Sequence, residues 1–99
     1  MTIQELQEWV ENDWKNSSKQ RPTVELQLLY IMEELGEVAE AIRKTAGAKD
    51  RKQKEVDLGS ELGDLIVSIT TLANHFGIDL DKEISGFQAR IAARHQDGF

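Results

Sequence analysis

Four carboxylates recur at a matched spacing in two separate segments of the sequence. Glu34 and Glu37 are three residues apart, and Glu61 and Asp64 repeat this spacing, each pair with a glycine between the acids. On a helix, residues three apart project from one side, so each pair presents two carboxylates together. Oxygen-only ligands suit a hard cation such as Mg²⁺ or Mn²⁺, whereas zinc normally takes histidine or cysteine. The four acids are therefore candidate metal ligands.

The neighbours of these acids argue against ordinary solvated helix faces. An exposed helical glutamate usually has a basic residue three or four positions away, as Glu40 has in Arg43 and Lys44. None of the four candidates has such a neighbour. Two carboxylates about 5 Å apart repel by roughly 3 kcal/mol at an effective dielectric constant near 20, and a divalent cation would remove this repulsion. The pattern favours a metal site.

The elements that must position these acids are predicted to be helices. No segment alternates apolar and polar residues with a period of two, so we expect an all-α, four-helix bundle-like domain. The glycine between each pair of acids suggests a close approach of another backbone, because glycine weakens a helix. The predicted helices run from a Thr2–Glu5 capping box to residues 16–18, from an N-cap at Thr23 to about Thr45, from before Leu62 to a stop at Gly77, and from a cap at Asp79 to near His95.

Apolar spacing predicts the faces that form the core. On the second helix the three-four spacing selects Leu28, Ile31, Leu35, Val38 and Ile42. On the third helix the same spacing selects an apolar stripe from Leu62 to Phe76, and on the first helix Trp9 is expected in the core. If the second and third helices pack antiparallel, the two acidic pairs meet at the margin of this core.

Composition limits the partners. The 99 residues carry 12 Lys+Arg and 18 Asp+Glu, for a net charge of −6 and a pI near 4.8. This charge repels nucleic acid, so we expect no DNA partner, and any phosphate chemistry needs a cation from outside. The sequence has no cysteine, no secretion leader and no apolar run of membrane-spanning length. We therefore expect one cytoplasmic domain with no membrane partner.

The string Glu33-Glu34-x-x-Glu37, followed by Glu61-x-x-Asp64, resembles the EExxE…ExxD signature of MazG-like nucleoside triphosphate pyrophosphohydrolases, in the all-α NTP pyrophosphatase superfamily. The resemblance implies a single domain over residues 1–99. It also implies Mg²⁺-dependent hydrolysis, with Mn²⁺ as an alternative, between the α and β phosphates to give a nucleoside monophosphate and pyrophosphate. Glu34, Glu37, Glu61 and Asp64 would be the metal ligands. House-cleaning of non-canonical nucleotides is a further family expectation.

Other residues are weaker site candidates. Glu33 adjoins the ligands and could accept a proton from the attacking water, although a surface glutamate is an equally good interpretation. The resemblance implies a basic pair four apart on the last helix that meets the phosphates, and Arg90 and Arg94 match that spacing. A base could stack on Trp14, which a subunit contact explains equally well, and Lys54 is a loop candidate for substrate binding.

Other functions remain open from the sequence alone. A di-iron carboxylate bundle would need Glu-x-x-His, yet the residues three before His75 and His95 are Leu72 and Ala92. A non-enzymatic helical dimerisation module is the main alternative from another class, and a dUTPase-like or phosphoribosyl-ATP pyrophosphatase-like enzyme is the alternative within hydrolases. The first helix could complete the bundle within one subunit or across a dimer. We expect a homodimer or homotetramer, from the short chain with its apolar faces and partly from what the family resemblance implies.

Overall fold

The computed structural model describes residues 1–47 and 57–96, and within these ranges the chain forms four α-helices and no strand. The prediction of an all-α domain is confirmed. Lys54, the loop residue predicted to bind substrate, lies outside the described residues. The helices are α1 (Ile3–Asn16), α2 (Val24–Gly47), α3 (Leu58–His75) and α4 (Leu80–Gln96).

Local hydrogen bonds set the helix ends, as the sequence predicted. Thr2 and Glu5 form the capping box at the start of α1, with Glu5 N donating to Thr2 Oγ1 at 3.0 Å and Thr2 N donating to Glu5 Oε1 at 2.9 Å. Thr23 and Asp79 accept backbone N–H bonds at the starts of α2 and α4. Gly77 ends α3 with φ +63°, a left-handed conformation that glycine adopts without steric cost.

Helices α2 and α3 form an antiparallel pair. Gln27, near the start of α2, donates from Nε2 to the carbonyl oxygen of Ser68 at 3.0 Å, late in α3. Glu34, further along α2, instead lies close to Glu61 and Asp64 in the first turns of α3. The predicted antiparallel arrangement of the two acidic segments is confirmed.

Helix α1 connects α4 to this pair. The Gln7 carboxamide donates to Asn74 Oδ1 at 3.0 Å and to the Ile78 carbonyl oxygen at 2.7 Å, and it accepts from Leu80 N at 3.0 Å. Asp81 accepts from Gln4 N at 3.0 Å, at the positive end of the α1 dipole. One polar side chain of α1 therefore fixes the turn between α3 and α4.

The predicted core faces are partly wrong. On α2, Val38 is buried as expected, but Leu28, Leu35 and Ile42 are 50%, 56% and 51% exposed. Apolar residues occur around most of α2, so the three-four spacing could not select the face that meets α3. The face that meets it is a row of buried or half-buried residues with smaller or polar side chains: Gln27, Ile31, Glu34, Val38, Ala41 and Thr45.

The predicted core faces of α1 and α3 are also partly wrong. Trp9 was expected in the core of α1 but is 56% exposed, while the adjacent Val10 is buried. On α3, Leu62 and Phe76 are exposed, and the buried positions are Thr70, Thr71 and Ala73. The apolar stripes therefore contribute to the surface of a single chain as much as to its interior.

The single chain is open in shape. Its radius of gyration is 17.1 Å, against roughly 12.6 Å for a compact domain of this length. Many large apolar side chains remain exposed on α2, α3 and α4. Among the described helices, none combines the length and apolar character that a membrane crossing requires.

Candidate metal centre

Three of the four predicted carboxylates converge between α2 and α3. One carboxylate oxygen from each of Glu34, Glu61 and Asp64 lies within 4.8 Å of the other two. Glu34 belongs to the inward row of α2, and the other two residues occupy the first turns of α3. Glu34 and Glu61 are half-buried and Asp64 is exposed. The helix pairing thus brings together acids that are 27 or more positions apart in the sequence.

Glu37 joins this cluster from the next turn of α2. Its carboxyl group lies within hydrogen-bonding reach of the carboxyl groups of Glu34 and Glu61. All four predicted ligands therefore occupy one acidic site, which we call the acidic cluster: Glu34, Glu37, Glu61 and Asp64.

The acidic cluster disfavours the charged forms of Glu34 and Glu61. Burial is the largest factor that raises the pKa of Glu34, and the charges of Glu37 and Asp64 raise it further. For Glu61, the hydrogen bond with Glu37 is the largest factor that raises the pKa, followed by burial and the neighbouring charges. Both shifts mean that a positive charge at this site would be stabilising.

The donor set fits a divalent cation. Glu34 Oε2 and Glu61 Oε2 are buried and have no hydrogen-bond partner in the described part of the chain. A buried carboxylate oxygen without a partner is costly, and a metal ion would coordinate both atoms. An all-oxygen set of carboxylates is the type that Mg²⁺ or Mn²⁺ binds. The residues present therefore fit a magnesium or manganese ion.

The glycines between the acids do not contact another backbone. A Cβ atom added at Gly36 or Gly63 would have no described atom within 4 Å outside its own helix surroundings. The prediction of a close backbone approach is wrong for the single chain. These two positions are free of steric constraint here.

A cavity of about 410 Å³ adjoins the acidic cluster and shares Glu34 with it. Trp14, the predicted stacking residue, lies in the cavity wall and is half-buried. Trp9 and Tyr30 also line the cavity. The sequence analysis placed neither residue at the site, since Trp9 was assigned to the core and no role was predicted for Tyr30. A larger cavity of about 550 Å³ between α1 and the α3–α4 turn is lined by none of the four acids.

The remaining predicted site residues in the described part of the chain are exposed: Glu33, Arg90 and Arg94. Glu33 is exposed, and its charge contributes to the raised pKa of Glu34. Arg90 and Arg94 are exposed on α4, and the Arg90 guanidinium lies 6.0 Å from the centroid of the Phe87 ring. Among the described residues, the charges that shift the pKa of Glu34 and Glu61 are all acidic. The roles of Glu33, Arg90, Arg94 and Trp14 stay predictions.

Comparison with known proteins supports the resemblance seen in the sequence. The chain is 23% identical over 104 residues to the uncharacterized protein YvdC of Bacillus subtilis (strain 168), a match that covers 97% of this chain and 98% of the relative. No solved structure matches the chain. The family model of the MazG nucleotide pyrophosphohydrolase domain matches residues 22–99, which include α2, α3, α4 and all four acids. The chain therefore belongs to the MazG nucleotide pyrophosphohydrolase domain family.

Proposed function

We propose that this protein is a Mg²⁺-dependent nucleoside triphosphate pyrophosphohydrolase, which cleaves between the α and β phosphates to give a nucleoside monophosphate and pyrophosphate. The observation that carries the proposal is the convergence of Glu34, Glu61 and Asp64 within 4.8 Å, with two buried carboxylate oxygens that lack hydrogen-bond partners among the described residues. Membership of the MazG family supports the reaction type.

The acidic cluster would hold the cation. When bound, Mg²⁺ or Mn²⁺ supplies positive charge for the phosphates and lowers the pKa of a water molecule. Glu33 is proposed to accept the proton of the attacking water or to orient that water, because it is exposed beside Glu34. Trp14, in the wall of the adjoining cavity, is proposed to stack on the base.

Arg90 and Arg94 are proposed to bind the phosphate chain. Helix α4 meets the rest of the chain mainly through α1, so we propose that these arginines act within an oligomer. A homodimer or homotetramer is supported by the exposed apolar residues of α2, since monomeric proteins rarely leave large contiguous apolar patches in water. Lys54 also stays a proposal as a phosphate contact.

The test is a substrate panel with Mg²⁺ that separates pyrophosphate release from orthophosphate release. The panel includes canonical triphosphates, dUTP, phosphoribosyl-ATP and triphosphates with damaged bases, so that the dUTPase-like, phosphoribosyl-ATP pyrophosphatase-like and house-cleaning alternatives give different results. We expect pyrophosphate, no activity in EDTA, and a large loss in Glu61→Gln. Glu40→Gln is the matched control, because Glu40 pairs with Arg43 instead of joining the cluster.

The second candidate function is a non-enzymatic helical dimerisation module, favoured by the exposed Leu28, Leu35 and Ile42 on α2. Such a module would dimerise without hydrolysing any triphosphate, and Glu61→Gln would leave its dimerisation intact. Release of orthophosphate alone, or equal activity in the parent protein and Glu61→Gln, would contradict the pyrophosphohydrolase proposal.

A further inference from the structure

Two buried polar side chains line the cavity beside the acidic cluster. Gln27 on α2 is 3% exposed and Thr71 on α3 is 6% exposed. Both belong to the wall of the cavity of about 410 Å³ that also contains Glu34, Trp9 and Trp14. This volume is within the range of small-molecule sites. A ligand in this cavity would therefore meet a wall that includes two buried polar residues.

The hydrogen-bond donors of both side chains are engaged by the protein. Gln27 Nε2 donates to the carbonyl oxygen of Ser68 at 3.0 Å, which fixes the orientation of the carboxamide because a carbonyl accepts only from the nitrogen. Thr71 Oγ1 donates its single hydrogen to the carbonyl oxygen of Val67 at 3.0 Å. What remains is acceptor capacity, since neither the Gln27 carboxamide oxygen nor the lone pairs of the Thr71 hydroxyl group are used in these two bonds. The two side chains together thus offer two hydrogen-bond acceptors and one remaining donor, the second N–H of Gln27.

We propose that this wall recognises the amino group of a nucleobase, so that cytosine and adenine nucleotides are preferred over their keto counterparts, uracil and hypoxanthine nucleotides. An exocyclic amino group lies on the edge of the base away from the sugar and carries two N–H donors, which match the two acceptors. A keto oxygen at the same position could pair only with the remaining N–H of Gln27 and would leave both acceptors unpaired. The inference rests on the proposed function for placing the phosphates at the acidic cluster.

The neighbouring residue Thr70 provides a matched control. Its hydroxyl group donates to the carbonyl oxygen of Ile66 at 2.8 Å, the same bond one residue earlier. Thr70 is 0% exposed, and it does not line the cavity. A substitution of Thr70 by valine therefore removes an equivalent bond at equal burial without changing the cavity wall. A change in substrate preference found for Thr71→Val but not for Thr70→Val therefore reports a contact between Thr71 and the ligand.

The experiment compares kcat/KM with Mg²⁺ within two pairs of substrates, CTP against UTP and ATP against ITP, whose members differ in an amino or keto group on the base. We expect the parent protein to favour the amino member at least about tenfold, since sites that hydrogen-bond a substrate N–H discriminate strongly. Thr71→Val and Gln27→Met should bring the ratio close to one, and Thr70→Val should leave it unchanged. Equal rates or a keto preference in the parent would overturn the inference, as would equal changes in Thr70→Val and Thr71→Val.

A binding measurement separates this inference from the proposed function. The metal-free parent protein is titrated with CMP and with UMP, and the side-chain amide NMR signal of Gln27 is followed. This measurement requires neither hydrolysis nor a correctly folded variant. A shift with CMP that exceeds the shift with UMP supports the inference even if no triphosphate is cleaved. Pyrophosphate release without base discrimination and without this NMR difference would refute the inference and leave the proposed function standing.

Discussion

The substitution Glu34→Gln is expected to stabilise the metal-free protein and to abolish its stabilisation by Mg²⁺. Glutamine has nearly the same shape as glutamate, so the packing of α2 on α3 is retained. The change removes one negative charge from the acidic cluster, and the new amide can donate hydrogen bonds to the neighbouring carboxylates of Glu61 and Asp64. The same change removes a buried carboxylate oxygen that is a proposed metal ligand.

The magnitude follows from the geometry. The Glu34 oxygen lies within 4.8 Å of oxygens of both Glu61 and Asp64. Coulomb's law gives about 3.5 kcal/mol for each pair at an effective dielectric constant of 20 and about 0.9 kcal/mol in water. Because Glu34 is only half-buried and Asp64 is exposed, the value in water applies. Two pairs therefore give about 1–2 kcal/mol before salt screening, or a Tm increase of roughly 5–10 °C for a domain of this size.

The assay is thermal unfolding of the parent protein and Glu34→Gln at one protein concentration, in EDTA and in excess Mg²⁺. We expect Mg²⁺ to raise the Tm of the parent but not that of Glu34→Gln. The Tm of Glu34→Gln should be the same in both buffers and higher than that of the parent in EDTA. Glu40→Gln should instead lower the Tm in EDTA and keep the stabilisation by Mg²⁺. Arg43 lowers the pKa of Glu40 through a hydrogen bond of 2.6 Å, so neutralisation of Glu40 removes a favourable contact. A lower Tm for Glu34→Gln in EDTA, or a Mg²⁺ response equal to that of the parent, would refute the reasoning.

Further predictions concern pH, glycine positions and assembly. Because the pKa of Glu34 is raised in the folded state, that state binds more protons than the unfolded state above the ordinary glutamate pKa of about 4.3. Stability in EDTA should therefore fall as pH rises from about 4.3 through the raised value, and the Tm advantage of Glu34→Gln should be larger at pH 7 than at pH 5. Gly77→Ala should destabilise the protein by about 1–2 kcal/mol in chemical denaturation, since φ is +63° there; an unchanged midpoint would contradict this. Gly36→Ala should stabilise it by about 0.5–1 kcal/mol in the same assay, because an added Cβ meets no described atom within 4 Å outside its own helix surroundings, and a loss of stability would show that the glycine contacts a second copy. Leu35→Lys should convert the expected oligomer into monomer in sedimentation velocity, and an unchanged mass would place the interface elsewhere.

The sequence predicted the helix ends well because they depend on local hydrogen bonds. Thr2 and Glu5 are three residues apart, and Gly77 needs only its own backbone freedom to end α3. The convergence of the acids was also predictable, since the pairing of two helices aligns motifs of equal spacing. The inward face of α2 was not predictable from hydrophobicity, because Leu28 and Leu35 are as apolar as a core residue and yet remain exposed. Their exposure is understandable if a second copy covers them.

The position of Gln27 shows what hydrophobic patterning overlooks and why it matters for function. Gln27 is seven residues before Glu34, so both side chains lie on the inward row of α2, two helical turns or about 10.5 Å apart along the axis. Gln27 lines the proposed base cavity, and Glu34 belongs to both that cavity and the acidic cluster. A rigid helix therefore fixes the separation between the proposed base contact and the proposed metal ligands. A polar residue seven positions before a candidate metal ligand, and therefore on the same face of the helix, is the sequence signal that would have identified Gln27.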